Sequence, residues 1–376
     1  MAHTTNETDA AMHFVIFGLT VSSSWGNGHA TLWRGLLKAM GQRGHTATFY
    51  ERDVPYYAST RDGWPAPQGI TIRLFESIDD IQQEIARDLT RADVALVTSY
   101  CQDGPAVSQK IFDSNVPVSA FYDLDTPVTL DALRSGEHVG YLPENGLGQF
   151  DIVLSYTGGR ALNELRSRLG ARLVAPLYGW VDPETHAPTA SKPEFRSTLS
   201  YLGTYAADRQ QALEELFVSP ARSMPQERFV IGGAQYPDTF PWSENIFFVR
   251  HLPPGCHSSF FCSSRTTLSV TRRAMAEYGY CPSGRLFEAT ACGTPLLSDT
   301  WEGLETFFDL GSEILPVHTQ QDVVAALSLS DFELVRIGQA ARARTLAHHT
   351  AEHRVSELEA ICVSVGARGS IDAPRN

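Results

Sequence analysis

The residues best suited to chemistry lie in segment 283–304, which reads SGRLFEATACGTPLLSDTWEGL. Ser283 can cap a helix that ends at Gly293. Arg285 and Glu288 lie in the first two turns of that helix, where backbone N–H groups and the helix dipole favour a phosphate, and a carboxylate one turn on can accept from two adjacent ribose hydroxyls. The pattern indicates nucleotide binding, although an ordinary amphipathic helix with a surface ion pair has the same pattern.

A second candidate segment, SSSWGNGHA, follows the first predicted strand, 14–19. Open parallel sheets bind ligands at this position, and small residues such as Gly28 let the backbone approach a ligand. His29 falls in the first turn of the next helix, where the dipole suits a neutral general base or hydrogen-bond donor, although a capping or surface histidine fits equally well.

Two carboxylates, Asp123 and Asp125, follow the apolar strand 116–122. At the carboxyl edge of a buried strand, they point toward the ligand crevice of an α/β sheet. Asp-x-Asp also suggests a metal site, but Asp followed by Thr-Pro is a common turn and helix start, so we predict no metal requirement. We predict that at least one of these carboxylates acts as a base or accepts from a substrate hydroxyl.

A third candidate, Gly203-Thr204-Tyr205, ends a predicted strand and precedes a helix that contains Arg209. This strand–loop–helix arrangement suits a phosphate. No lysine follows residue 192, so arginines are the only strong partners for a diphosphate in this half, and a pyridoxal-phosphate Schiff base is excluded there. We predict nucleotide contacts from Gly28, Gly203, Thr204, Tyr205, Arg209, Arg265, Ser283, Arg285 and Glu288.

His349 and His353 are predicted to lie four residues apart on one long helix, 332–363, a spacing that could hold zinc. No third ligand or His-Glu-x-x-His pattern accompanies them. We therefore interpret both as part of a solvated helix face.

Composition excludes several classes of protein. The formal charge of −13 argues against non-specific binding to nucleic acid or anionic membrane. No run approaches the ~18 apolar residues of a membrane span, and the polar start MAHTTNETDAAM has no signal-peptide pattern. The six cysteines are scattered without a Cys-x-x-Cys pair, which predicts reduced thiols. We expect a soluble cytoplasmic protein with a frayed start.

Predicted strands and helices alternate in both halves of the 376-residue chain, as in doubly wound parallel sheets. A proline-rich stretch, 180–195, separates the halves and predicts a domain boundary. The predicted strands are 14–19, 46–50, 70–75, 94–98, 116–122, 152–155, 172–175, 198–203, 228–232, 246–250, 296–298 and 313–316. The other predicted helices are 27–42, 77–90, 105–113, 158–169, 207–217 and 320–328.

Five motifs, taken together and in order, resemble glycosyltransferases of the GT-B fold, and most closely the CgeB family. They are the glycine loop, YDLDTPVTL (122–130), YLGTYAADRQ (201–210), RTTLSVTR (265–272) and SGRLFEATACGTPLLSDTWEGLE (283–305). The resemblance covers nearly the whole chain, from residue 14 to about residue 363.

The resemblance implies an α/β protein with two Rossmann-like domains that face a central cleft. Residues 1–180 would bind the acceptor, and residues 181–347 would bind a nucleotide sugar. Residues 348–376 would form a helix that crosses back to the first domain, followed by a frayed tail. The resemblance also assigns ribose binding to Glu288. Tyr280 stands where retaining enzymes with the Glu-x7-Glu signature have a second glutamate, so the stereochemical outcome stays open.

The predicted function is a hexosyltransferase-type glycosyltransferase that moves a sugar from a nucleoside diphosphate sugar to a hydroxyl of a glycan, small molecule or protein. Arg209, Arg265 and Arg285 would offset the charge of the leaving diphosphate, with no metal or other cofactor required. Asp123 or His29 would deprotonate or orient the acceptor. A sugar or acceptor pocket would be shaped by Trp25, Asn27, Asp125 and Thr126. Two alternatives are a nucleotide-sugar epimerase of the same fold and a non-catalytic sugar-binding or assembly protein.

Overall fold

The structure, a computed structural model, describes residues 11–26 and 28–372. Asn27 and the residues at both ends of the chain, which include most of the predicted frayed start and the end of the predicted tail, lie outside the described residues. The chain divides into two compact units, one of Met1–Tyr178 with Ala351–Asn376 and one of Gly179–Thr350. The structural boundaries therefore fall at 178/179 and 350/351, where the sequence predicts 180/181 and 347/348.

Unit 1 is built on a parallel sheet in the order β3-β2-β1-β4-β5-β6-β7. Its strands are short apolar runs, which suit a sheet covered by helices on both faces. The strands are β1 (His13–Gly18), β2 (Thr46–Arg52), β3 (Ile70–Phe75), β4 (Val94–Thr98), β5 (Val118–Asp123), β6 (Ile152–Ser155) and β7 (Val174–Pro176). The helices are α1 (Gly28–Gln42), α2 (Pro55–Ala58), α3 (Gln82–Leu89), α4 (Gly104–Phe112), α5 (Thr126–Arg134), α6 (Arg160–Leu169) and the last helix of the chain, α14 (Ala351–Asp372).

Unit 2 is built on a second parallel sheet, in the order β10-β9-β8-β11-β12-β13. Its strands are β8 (Ser197–Leu202), β9 (Phe229–Gly233), β10 (Ile246–Arg250), β11 (Ser264–Ser269), β12 (Leu296–Ser298) and β13 (Leu315–Pro316). Its helices are α7 (Gln210–Leu213), α8 (Ser219–Ser223), α9 (His257–Cys262), α10 (Arg273–Tyr278), α11 (Gly284–Ala291), α12 (Gln320–Leu327) and α13 (Asp331–His348). The predicted helix 207–217 lies within a longer helical run, 207–223, which begins with a 3₁₀ turn and contains a π-helical turn at Glu214–Val218.

The strand order locates the ligand-binding edge of each sheet. In unit 1, β2 and β3 extend the sheet on one side of β1, and β4 to β7 extend it on the other side. In unit 2, β9 and β10 lie on one side of β8, and β11 to β13 lie on the other. Open α/β sheets bind ligands at the carboxyl ends of the strands beside such a switch point. The predicted α/β class is confirmed, and each predicted strand overlaps an observed one with ends shifted by no more than two residues.

The last helix, α14, packs against α1 and β5 within unit 1. Its buried stripe recurs at helical spacing through Val355, Leu358 and Cys362. Glu359 accepts from Arg43 Nε at 2.8 Å and Nη2 at 2.7 Å, and it also pairs with His45. The helix therefore crosses back to the first unit, as the resemblance implies.

The predicted continuous helix 332–363 is wrong, because the chain leaves the helix after α13 and starts again at α14. The carbonyl of His349 accepts from Val181 N at 3.0 Å instead of continuing a helix. The His349 ring is buried against Phe287, with centroids 4.7 Å apart. The interpretation of His349 as part of a solvated helix face is therefore also wrong.

Among the described residues, none of the helices combines the length and the apolar character needed to cross a membrane.

Candidate functional site

In unit 1, three side chains meet at the carboxyl edge of the sheet, beside the switch point between β1 and β4. His29 lies in the first turn of α1, Tyr100 follows β4, and Asp125 follows β5. His29 Nε2 lies 3.4 Å from Asp125 Oδ2, and the Tyr100 hydroxyl donates to the same oxygen at 2.9 Å. The His29 and Tyr100 rings are in contact, with centroids 5.6 Å apart. This arrangement can hold an imidazole in one orientation and one tautomer, as general base catalysis requires.

Asp123 lies beneath this group and is completely buried. Its Oδ1 accepts from the Asp125 N–H at 3.1 Å, whereas its buried Oδ2 has no hydrogen-bond partner among the described residues. Burial raises the pKa of Asp123 to about 6, although hydrogen bonds from Thr129, Asp125 and Ser99 favour its charged form. Because Asp123 has no exposed surface, its predicted contact with a substrate hydroxyl is corrected, whereas the Asp125 side chain is 19% exposed.

The predicted pocket residues Trp25 and Thr126 and the predicted nucleotide contact Gly28 differ in their exposure. Trp25 is 40% exposed, and a side chain added at Gly28 would meet no atom within 4 Å, so both border open space. Thr126 is fully buried, and its hydroxyl lies 2.7 Å from Ser155 Oγ and donates to the Asp123 carbonyl at 3.3 Å. The prediction that Thr126 shapes a pocket is therefore corrected, because its buried hydroxyl bonds within unit 1 and lines no open space.

In unit 2, two arginine side chains donate hydrogen bonds to the carboxyl end of β8 and to the loop that follows it. Arg285 Nε donates to the Leu202 carbonyl at 2.7 Å. Arg209 donates from Nη2 to the Thr204 carbonyl at 2.9 Å and from Nη1 to the Tyr201 hydroxyl at 3.1 Å, whereas its buried Nε has no partner among the described residues. Two guanidinium groups are thus anchored at the carboxyl end of the strand beside the switch point.

Two glycines permit close packing at this loop. A Cβ atom at Gly233 would lie 2.0 Å from the Gly203 carbonyl oxygen, and a Cβ atom at Gly203 would lie 2.7 Å from the side-chain hydroxyl of the buried Tyr201. The Tyr205 N–H donates to the Ala234 carbonyl at 2.9 Å. The loop 203–205 is therefore held in place by backbone packing beside Arg209.

Helix α11 begins as predicted, with the Ser283 hydroxyl accepting from the Arg285 N–H at 3.4 Å. Arg285 lies in its first turn, and Glu288 lies one turn further on. Glu288 is only 7% exposed, and its Oε2 lies 3.9 Å from His257 Nδ1. Arg285, the predicted phosphate contact, and Glu288, the predicted ribose contact, are therefore neighbours on α11, and Arg285 reaches the end of β8.

Arg265 does not belong with this group. It lies near the amino end of β11, where Nη1 donates to the Leu327 carbonyl at 2.6 Å and Nε donates to Asp331 at 2.8 Å. Nη2 donates to the Leu329 carbonyl at 2.5 Å. Its guanidinium caps the end of α12, so its predicted nucleotide contact is corrected to a structural role.

Sequence reasoning missed Tyr100 and Asp299 as site residues. Asp299 follows β12 and accepts from Thr271 N and Oγ1 at 3.0 Å. Burial raises its pKa to about 6, even though the hydrogen bonds from Thr271 favour its charged form. Asp299 directly follows a buried strand, and Tyr100 follows one after a single intervening residue. The same position after a strand led to Asp123 and Gly203, so it could also have led to Tyr100 and Asp299.

Comparison with known proteins adds a family match for part of the chain and a fold for nearly all of it. Residues 209–360 match a family model described as glycosyl transferase-like. A sucrose-phosphate synthase from Thermosynechococcus elongatus has a TM-score of 0.66 at 13% identity, covering 95% of this chain and 100% of that chain. Anabaena HepE in complex with UDP and glucose has a TM-score of 0.65 at 12% identity, covering 94% and 100%.

An α-glucosyltransferase in complex with UDP-glucose and DNA containing an abasic site has a TM-score of 0.64 at 13% identity, covering 94% and 100%. No curated protein matches the chain by sequence. The chain therefore has the α/β fold of GT-B glycosyltransferases, with two parallel sheets, and residues 209–360 carry a glycosyl transferase-like domain.

Proposed function

We propose that this chain is a hexosyltransferase-type glycosyltransferase that moves a sugar from a nucleoside diphosphate sugar to an acceptor hydroxyl, within the CgeB-like group that its motifs resemble. The observation that carries the proposal is the placement of Arg209 and Arg285 at the end of β8. Their described hydrogen bonds go to backbone carbonyls and a tyrosine hydroxyl, and each guanidinium has further N–H donors for a diphosphate. Arg272, by contrast, pairs with Asp208 at 3.2 Å.

In this proposal unit 2 binds the donor. The first turn of α11 and the two arginines stabilise the negative charge that develops on the leaving diphosphate, so that no metal ion is required there. Glu288 accepts from the ribose hydroxyls. Two structurally similar proteins are complexes with UDP and glucose or with UDP-glucose, which makes UDP-sugars the first donors to test.

Unit 1 supplies acceptor activation. As the acceptor oxygen bonds to the anomeric carbon, its proton passes to His29, and the bond from the anomeric carbon to the diphosphate oxygen breaks with its electron pair leaving on the diphosphate. Asp125 holds the imidazole and stabilises the imidazolium that forms. Tyr100 fixes Asp125 by donating to the same oxygen.

The test begins with a thermal-shift screen of the full-length protein against UDP-, GDP-, ADP- and dTDP-sugars. The best donor is then followed by NMR alone and with panels of glycan, small-molecule and protein acceptors. We expect release of free nucleotide that depends on acceptor. A new sugar epimer without free nucleotide would instead establish an epimerase, and donor binding without nucleotide release in any panel would establish a binding protein.

A further inference from the structure

Three side chains with metal-binding atoms meet inside unit 2, behind the proposed ribose-binding position. They are His186, His257 at the start of α9, and Glu288 on α11, and one ligand atom of each lies within 4.8 Å of the others. His186 is 2% exposed, Glu288 is 7% exposed, and the His257 side chain is 12% exposed. Buried nitrogen and carboxylate atoms of this kind need hydrogen-bond donors, bound protons or a cation beside them.

The hydrogen bonds around His257 determine which atoms face each other. His257 Nε2 lies 3.3 Å from the Leu252 carbonyl, which can only accept, so Nε2 carries the proton and Nδ1 presents a lone pair. That lone pair faces His186 Nε2 at 3.5 Å and Glu288 Oε2 at 3.9 Å. Two acceptors, an imidazole nitrogen and a carboxylate oxygen, thus point at one another.

Glu288 Oε2 is buried without a hydrogen-bond partner among the described residues. An ionised carboxylate oxygen in such a place costs free energy unless a positive charge lies next to it. A cation between Glu288 Oε2 and the two imidazoles would satisfy the carboxylate and both facing nitrogens at once.

The donor set favours zinc over the alkaline-earth cations, because imidazole nitrogens suit Zn²⁺ whereas Ca²⁺ and Mg²⁺ prefer oxygen ligands. Bonds of about 2.0–2.2 Å to Zn²⁺ place tetrahedral ligand atoms roughly 3.3–3.5 Å apart. The observed 3.5 Å and 3.9 Å separations approach this spacing.

We propose that His186 Nε2, His257 Nδ1 and Glu288 Oε2 hold one Zn²⁺ ion. The ion joins the segment before β8 and helix α9 to helix α11, and the Leu252 carbonyl orients one ligand as outer-shell partners do. It is distinct from any metal on the diphosphate, which the proposed mechanism does not use. With Oε2 on the ion, the second oxygen of Glu288 accepts from ribose, and this last step rests on the proposed function.

The experiment uses full-length protein without a histidine tag. Metal content is measured by mass spectrometry after dialysis, and Co²⁺ is titrated into chelator-treated protein while the visible absorption is followed. We expect about one zinc per chain and a tetrahedral cobalt band. No cobalt band in the wild-type protein would overturn the site without reliance on any variant. A sulfur-to-cobalt charge-transfer band would also overturn it, because that band requires a cysteine ligand.

The ligands are then identified with His186→Asn and His257→Gln, which keep polar side chains of similar size. Each substitution is expected to lower zinc affinity by at least about tenfold. The matched control is His318→Asn, because His318 is an exposed histidine of the same unit. Equal zinc affinity in folded His257→Gln and His318→Asn proteins would overturn the assignment.

The link to donor binding is measured separately, by calorimetry of UDP with zinc-loaded and chelator-treated protein. We expect weaker UDP binding after zinc removal, because Glu288 is no longer held. Equal affinity would overturn the link to ribose and leave the metal site established. Zinc binding without any nucleotide binding would overturn the proposed function instead.

Discussion

His29 Nε2 lies 3.4 Å from Asp125 Oδ2, and both residues stand where a strand of the unit 1 sheet gives way to a helix. The Tyr100 hydroxyl donates to the same carboxylate oxygen at 2.9 Å, from a residue with the unusual positive φ of 66°. Backbone strain in a non-glycine residue is retained where the surrounding structure requires it, commonly at functional sites. The His29–Asp125 pair is therefore the proton acceptor that we propose for this unit.

Replacement of His29 by alanine tests this role. Loss of a positioned general base is expected to lower kcat by about 10²- to 10⁴-fold, with little change in UDP affinity because the proposed nucleotide contacts lie in unit 2. Steady-state kinetics and calorimetry with UDP measure the two effects. His138→Ala, at an exposed histidine of unit 1, is the matched control and should keep full activity. If both variants have wild-type kcat, His29 is not the base.

Replacement of Arg285 by alanine tests diphosphate binding. Loss of a charged hydrogen-bond donor is expected to weaken UDP binding by roughly 1.5–3 kcal/mol, measured by calorimetry. Arg265→Ala is an informative control, since the sequence alone gives both arginines the same role. Arg265 bonds the end of α12, so its loss should lower the thermal unfolding midpoint and leave UDP affinity unchanged. The reverse pattern would contradict the assignment.

Glu288→Gln tests the ribose contact. A carboxylate that accepts from ribose hydroxyls should make the wild-type protein bind UDP more tightly than 2′-deoxy-UDP, by about 1.5–3 kcal/mol. The variant should lose most of this discrimination and should bind 2′-deoxy-UDP about as tightly as the wild-type protein does. Glu277→Gln, at an exposed glutamate of α10, serves as the control. Equal discrimination in wild-type and Glu288→Gln proteins would exclude a direct ribose contact.

Much of this arrangement could be predicted because it depends on local patterns. Apolar runs bounded by turn residues predict the strands, and the rule that ligands bind at strand ends then points to His29, Asp125 and Arg209. The Ser283 cap and the first turn of α11 follow from residues adjacent in sequence. The structure bears out these placements, whereas the chemical roles of the residues remain predictions.

The failures have a different origin, because they depend on contacts between distant residues. Arg265 fits a phosphate contact until the ends of α12 and α13, more than sixty residues away in sequence, are seen to occupy its donors. The helix break at His349 comes from its burial against Phe287. Likewise, the approach of His186 to His257 joins residues 71 apart in sequence, with no motif spacing to reveal it.

Asp123 gives a prediction that concerns stability and pH. Burial raises the pKa of its carboxyl from 3.8 to about 6, so the folded chain retains this proton in a range where the unfolded chain has lost it. The contribution of Asp123 to stability is therefore greatest below pH 3.8 and is lost as pH rises to about 6. Because one pKa unit corresponds to about 1.4 kcal/mol, ionised Asp123 costs on the order of 3 kcal/mol above this range.

Asp123→Asn cannot ionise, so its stability relative to the wild-type protein should rise between about pH 4 and pH 6 and stay constant at higher pH. Thermal unfolding midpoints of both proteins across this range measure the difference. Asp80→Asn, at an exposed aspartate of unit 1, controls for the general effect of removing one negative charge. A pH-independent difference between the two proteins would contradict a raised pKa of Asp123 in the folded chain.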